Sequence, residues 1–150
     1  MQRFLFALVL TVAVLSGIAA TTAEVSKAPS KSAAEGIQFV ELPWAKVLAK
    51  AKKENKLIFF DAYTSWCAPC KLLQKNVFTR KDVGDFFNAN FINVKKDMEI
   101  GEGPKLANVY PIEGYPSLFF INGNGKVVTS HLGVLDGPEL IKFAQMVMKK

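Results

Sequence analysis

Phe59-Phe60-Asp61-Ala62-Tyr63-Thr64-Ser65-Trp66-Cys67-Ala68-Pro69-Cys70-Lys71 is the stretch that decides the fold of this chain. With Leu57 and Ile58 ahead of it, the stretch opens as an unbroken, aromatic-rich apolar run, which suits a strand covered on both faces. An acid, Asp61, closes that run. Thr64-Ser65-Trp66-Cys67 then supplies helix-capping side chains, and after Pro69 the residues Cys70, Leu73 and Val77 recur at helical spacing. The stretch reads as strand, turn and helix, with two cysteines at the start of the helix.

Cys67 and Cys70 are the only cysteines in the 150 residues. A bridge across that spacing closes a very short loop and restricts the unfolded chain little, so the pair makes a poor structural staple. Chemistry accounts for it better. Residues i and i+3 of a helix share one face, with side-chain bases about 5–6 Å apart, so the two sulfurs can bond and separate. Cys67 stands at the helix start, where unpaired N–H groups and the positive end of the dipole favour a thiolate, while Cys70 lies one turn in and toward the core. The expected roles are therefore nucleophile for Cys67 and resolving thiol for Cys70, with Lys71 adding positive charge nearby. Two other readings compete. Inert core cysteines fit badly between Trp66 and Pro69 in an exposed turn. A thiolate metal site would need further ligands for zinc, and only His131 offers an imidazole, from the far side of the chain's hairpin. Copper(I) could use two thiolates alone, but no Met-rich or His-rich stretch accompanies them, so no metal is expected.

Outward from this centre, Ile37-Gln38-Phe39-Val40 suits a first strand, and Trp44, Val47, Leu48 and Ala51 form one apolar stripe on a helix beginning near Pro43. Asp82 to Asn90 is a shorter amphipathic helix and Phe91 to Val94 a strand. Gly101 to Pro104 is a turn, followed by one or two helical turns from Leu106 to Tyr110. Leu118-Phe119-Phe120-Ile121 and Lys126-Val127-Val128-Thr129 flank Asn122-Gly123-Asn124-Gly125, a hairpin signal. A last helix follows Asp136. The order βαβαβαββα, without internal repeats, implies an α/β sandwich with mixed strand directions. Lys96 shares the parity of Ile92 and Val94, which would turn it inward toward Asp61 and turn Lys95 away.

The N-terminus has a different character. Arg3, the apolar run Phe4 to Leu15 and the small-residue stretch Gly17 to Ala23 form the three regions of a secretory signal peptide, with cut sites after Ala20 and after Ala23. The rival, an uncleaved anchor, has an unbroken apolar part shorter than the ~20 residues a span prefers. Residues 1–23 are assigned to the signal, 24–36 to a flexible leader rich in Ser, Lys, Ala and Pro, and 37–150 to the folded domain, with no membrane span after cleavage. A net charge of +6 favours solubility and acidic partners. Nucleic acid is not an expected partner, because the lysines are scattered and no arginine-aromatic stripe accompanies them.

Three motifs in matching order make the chain resemble the thioredoxin superfamily over about Ile37 to Lys149: the strand-acid-W-C-x-P-C-K segment above, Gly114-Tyr115-Pro116-Ser117-Leu118-Phe119-Phe120, and the glycines Gly125 and Gly133 of the closing hairpin. The resemblance implies a thioredoxin-like sandwich, with a central mixed five-stranded sheet flanked by about four helices. It implies a redox-active Cys67-Cys70 disulfide and no other cofactor. Asp61 takes the role of proton-transfer group for Cys70, and burial at the end of an apolar strand would raise its pKa. Trp66, Tyr115 and Pro116 become the substrate-facing surface, with Pro116 in the cis form. Ala68, which departs from the family's commonest glycine, and Pro69 lie where the family varies its redox poise; Lys96 joins them as a tuning residue. The segment Asp97 to Lys105 is longer than in the minimal thioredoxin, and with Lys71 and Val77-Phe78-Thr79 it resembles exported members, including the C-terminal domain of transmembrane thiol-disulfide reductases.

The function implied is an exported thiol-disulfide oxidoreductase, periplasmic or secreted, that reduces or exchanges protein disulfides as a monomer. Lacking a second cysteine pair and a nucleotide fingerprint such as G-x-G-x-x-G, it would trade electrons with a partner protein. The rival from another class is a noncatalytic peptide-binding module of the same fold.

Overall fold

The computed structural model describes residues 35–149. The expected signal peptide and the leader as far as residue 34 lie outside them. Nine elements follow in order: α1 (Trp44–Glu54), β1 (Leu57–Tyr63), α2 (Ala68–Asn76), α3 (Lys81–Asn90), β2 (Phe91–Asp97), α4 (Gly103–Ala107), β3 (Ser117–Ile121), β4 (Val127–Leu132) and α5 (Gly137–Met148).

The strands form one sheet in the order β2-β1-β3-β4, with β1 and β2 parallel and the other pairings antiparallel. Both faces of β1 are covered, which is why its sequence does not alternate. Ile58, Phe60 and Ala62 face Val47 and Ala51 of α1, Leu106 of α4 and Phe119 and Ile121 of β3. Phe59 faces Leu73 of α2, Val83 and Phe87 of α3, Leu118 and Phe120 of β3, and Leu140 and Ala144 of α5. A three-layer α/β/α sandwich results, its two cores separated by the sheet.

Among the described residues the sheet has four strands where five are expected, and five helices stand where about four are. Ile37-Val40 does not complete a ladder. The Val40 N–H does reach the Asn93 carbonyl of β2 at 2.9 Å, but that of Gln38 is taken by the Asn88 side chain at 2.8 Å and that of Ile37 by the Phe78 carbonyl at 2.7 Å. The hydrogen bonds are spent on β2, on α3 and on the turn between α2 and α3. Gly36, placed in the leader by its sequence, is buried, and at φ +87° its backbone lies against Gly84, where an added Cβ would come within 2.3 Å. α4 begins at Gly103 rather than Leu106, since Pro104 supplies a preset first turn.

Glu102 caps α1 from a distance. No side chain next to Pro43 bonds the first free N–H groups, and instead the Trp44 N–H donates to both Glu102 carboxylate oxygens at 3.1 and 3.0 Å. The Lys96 ammonium donates to the same carboxylate at 3.2 Å and to the Leu42 carbonyl at 3.0 Å. This anchors the loop after β2 beside the start of α1.

Candidate active site

β1 delivers the chain to the site, and α2 begins there. Cys67 is itself the N-cap of α2, in extended conformation, and its sulfur accepts the Cys70 N–H at 3.1 Å. The Thr64 and Ser65 side chains are thus not the caps the sequence suggests; Thr64 is buried and its hydroxyl has no hydrogen-bond partner, while its carbonyl accepts the Cys67 N–H at 3.2 Å. Pro69 lies in the first turn of α2, where no N–H is needed. Cys67 and Cys70 are joined as a disulfide, with Cα atoms 5.3 Å apart.

The two sulfurs differ by position. Cys70 shares the inward helix face of Leu73 and Val77, whereas Cys67 precedes the helix and adjoins Trp66, which is 64 % exposed. In the reduced protein the N–H groups at the start of α2 would meet a negative charge on Cys67 first.

Asp61 lies on the face of β1 that carries Phe59, beneath α2. It is wholly buried and neither carboxylate oxygen has a hydrogen-bond partner. Burial pushes its pKa up to about 7, offset in part by the ammonium of Lys95 and by the nearby Gln74 amide of α2. Gln74 acts here as a close dipole, since it forms no hydrogen bond of good geometry with either oxygen.

The strand register explains why Lys95, not Lys96, is the cation beside this acid. Asp61 pairs with Lys95 and Ala62 with Lys96. Lys96 does share the face of Ile92 and Val94, as its parity requires, but that is the face of Phe60 and Ala62, opposite Asp61. A sheet covered on both sides has two inward faces, and parity alone does not choose between them. Lys95 remains exposed, its ammonium 5.3 Å from the centre of the Phe39 ring.

Opposite the disulfide helix stands the loop before β3. The Tyr115-Pro116 peptide bond is cis, and Pro116 is buried. Its carbonyl accepts the Gly133 N–H at 2.9 Å, and the Ser117 hydroxyl donates to the Gly114 carbonyl at 2.7 Å, which ties the loop down on both sides. Tyr115 packs edge-on against Trp66, ring centres 5.9 Å apart, so these two expected surface residues are neighbours. The Trp66 indole N–H donates to Glu99 at 2.9 Å, and the Glu99 N–H donates to Asp97 at 3.0 Å. Glu99 carries no signal in the sequence, because only the fold brings the loop after β2 against the turn after β1. Burial raises the Tyr115 phenol above its ordinary value, with Glu99 and Asp97 adding to the shift. His131, the one imidazole that could have joined a thiolate site, packs at a tilt against Phe143 of α5, ring centres 5.8 Å apart.

The thioredoxin-like domain family matches residues 42–147. The chain belongs to that family. Thioredoxin H4 of Arabidopsis thaliana is 34% identical over 90 residues, 60% of this chain and 71% of that protein. Thiol:disulfide interchange protein DsbD 2 of Pseudomonas aeruginosa is 29% identical over 101 residues, 65% of this chain but 17% of that much longer protein. Among solved structures, a candidate disulphide-isomerase from Bacteroides thetaiotaomicron superposes with a TM-score of 0.68 at 45% identity, over 78% of this chain and 97% of that one. The oxidised C-terminal domain of Neisseria meningitidis DsbD, at 20% identity, shares the fold with a TM-score of 0.58, over 69% of this chain and 90% of that one. The thioredoxin-like domain of this chain carries the Cys67-Cys70 disulfide, and the chain spans less than a fifth of the length of the Pseudomonas aeruginosa interchange protein. No helix among the described residues is long and apolar enough to cross a membrane.

Proposed function

We propose that this protein is a thiol-disulfide oxidoreductase that works outside the cytoplasm, periplasmic or secreted, as a reductase or exchange catalyst for protein disulfides, recharged by a redox partner protein. The observation that carries the reading is a dithiol-disulfide pair at a helix N-terminus above a buried, unpartnered carboxyl. In the reduced state the Cys67 thiolate attacks one sulfur of a substrate disulfide, forming a mixed disulfide and expelling the other sulfur as a thiolate. Asp61 takes the proton of Cys70, directly or through a water molecule, and the Cys70 thiolate attacks the Cys67 sulfur. The Cys67-Cys70 disulfide forms, the second substrate thiol leaves, and two electrons have passed from protein to substrate. No cofactor beyond the two thiols takes part, and the protein acts as a monomer.

Trp66 and Tyr115 support the choice of a polypeptide substrate, because the exposed indole, with the Tyr115 ring packed edge-on beside it, gives an apolar contact next to Cys67. The Tyr115 N–H and carbonyl make no hydrogen bond among the described residues, leaving a backbone edge for an extended segment to pair with.

Mixing the reduced protein with a disulfide-bonded protein such as insulin tests the reading. One disulfide should be opened per protein molecule, with loss of two thiols from Cys67 and Cys70. Complex formation without thiol loss would instead mark a peptide-binding module. Export is tested by the intact mass of protein recovered from its native cell envelope or medium, which should begin at Thr21 or Glu24; a mass retaining residues 1–20 would contradict it.

A further inference from the structure

Trp66 is 64 % exposed, yet two contacts fix its indole. The Tyr115 ring meets it edge-on, ring centres 5.9 Å apart, and its N–H donates to the Glu99 carboxylate at 2.9 Å. Without them, an indole on a turn in water would exchange among its staggered rotamers. Neither contact comes from α2 or from the turn that carries Trp66. One belongs to the cis-proline loop and the other to the loop after β2, so the surface beside Cys67 is assembled from three separate segments of chain.

Glu99 is itself exposed, and the two residues before it supply its anchor. Met98 is buried in the core that β1 shares with α1 and α4, and its N–H donates to the Tyr63 carbonyl at 2.8 Å. Asp97 is buried at the end of β2, and its carboxylate accepts the Glu99 N–H at 3.0 Å. On the far side of Glu99, the Gly103 N–H donates to the Ile100 carbonyl at 2.9 Å, and Glu102 is bonded to Lys96 and to the Trp44 N–H. The loop is tied at both ends with Glu99 between them. Asp97 to Lys105 is also the segment that the sequence marks as longer than in the minimal thioredoxin, and no step of disulfide exchange uses it.

Resting on the disulfide-exchange reading, we propose that Glu99 is a positioning residue: by holding the Trp66 indole it keeps an aromatic contact preformed beside Cys67, and it thereby sets the preference for polypeptide over small disulfides. A polypeptide segment approaching Cys67 lies against Trp66, and a side chain already fixed spares the complex the entropic cost of ordering it. A small disulfide that reaches Cys67 alone gains nothing from that order. The loop after β2, and not only the disulfide helix, then takes part in substrate choice.

The preference is read by oxidising the reduced full chain with excess insulin or with excess glutathione disulfide, as the ratio of the two second-order rate constants. Glu99→Ala should lower that ratio by about three- to tenfold, the order of effect of losing one preordered side chain at an interface. Glu99→Gln keeps a carbonyl oxygen that can accept the indole N–H, and should restore most of the ratio. In a Trp66→Phe background, where no indole N–H is present, Glu99→Ala should leave the ratio where Trp66→Phe put it. By nuclear magnetic resonance of the oxidised protein, the Trp66 indole N–H should exchange with solvent faster in Glu99→Ala than in wild type or Glu99→Gln. An unchanged ratio in Glu99→Ala, an equal loss on both disulfides, or a loss in Glu99→Gln as large as in Glu99→Ala while its indole N–H stays protected would overturn the proposal. A further fall in the Trp66→Phe background would do so too, since Glu99 would then act other than through the indole. A wild-type protein oxidised by neither disulfide defeats the exchange reading instead, and the resonance measurement, which involves no sulfur chemistry, still decides whether Glu99 holds Trp66.

Discussion

Asp61→Asn should make the oxidised protein more stable above pH 7 by up to ~4 kcal/mol, while leaving its stability near pH 4 almost unchanged. The sign follows from where the proton is held more tightly. In the folded protein burial lifts the Asp61 pKa to about 7, against an ordinary 3.8. Between these two values the folded state keeps a proton that the unfolded state has lost. Stability therefore declines as pH rises from about 4 to about 7, and above that the full cost of a buried charge is present. Asparagine cannot ionise, so the slope should vanish. Lys95 does not reverse the sign, because it is exposed and its ammonium stays in water when the carboxylate is removed. Lys96 does not enter, being bonded to Glu102 and Leu42 on the other face. Urea unfolding at fixed oxidation state from pH 4 to pH 9 measures the effect, and a wild-type curve parallel to that of the variant would refute it.

The same substitution should slow the second half of the reaction. A carboxyl with a pKa near 7 is matched to taking a proton from a thiol at neutral pH, and such transfer is worth roughly 10²-fold or more. Stability gained and rate lost in one variant would distinguish a proton-transfer group from a buried acid with no task. Rapid mixing of a preformed mixed disulfide, followed by release of substrate thiol, reads the rate.

How far the sequence reached depends on the range of the interactions. The strand-acid-turn-helix segment around Cys67 was legible because periodicity and burial are set within a few residues, and α5 was legible from Asp136, which the structure places in a reciprocal cap with Glu139. Ile37-Val40 was not, because its apolar pattern suits a strand but its N–H groups meet Asn88 and Phe78, far away in the chain. The site divides along the same line. The positions of Cys67, Cys70 and Asp61 follow from local order, whereas the partner of Asp61 depends on the β1-β2 register and the partner of Trp66 on a loop 33 residues later. Parity named Ile92, Val94 and Lys96 as one face, and only the register shows that this face belongs to Phe60 rather than Asp61.

Cys67→Ser should abolish disulfide exchange, and Cys70→Ser should stop it after one chemical step with substrate still attached. The asymmetry comes from the helix start. Both cysteines are nearly buried in the oxidised state, 3 % and 1 % exposed, so exposure does not separate them. Their surroundings do: Cys67 is the cap of α2, takes the Cys70 N–H and adjoins Trp66, which packs against Tyr115, while Cys70 lies one turn in, on the buried face of α2 that carries Leu73. A substrate arriving over Trp66 meets Cys67, and with serine there no thiolate stands at the helix N-terminus to attack it. With serine at position 70 the attack proceeds, but the hydroxyl cannot displace sulfur from the mixed disulfide, so the adduct accumulates. On a nonreducing gel with a disulfide-bonded target, Cys70→Ser should give a band at the summed mass that disappears with dithiothreitol, and Cys67→Ser should give none. Adding Asp61→Asn to Cys70→Ser should not change the yield of adduct, because the carboxyl acts only in the step that serine already blocks. Equal trapping by both single variants would reverse the assignment of roles and detach Asp61 from the resolving thiol.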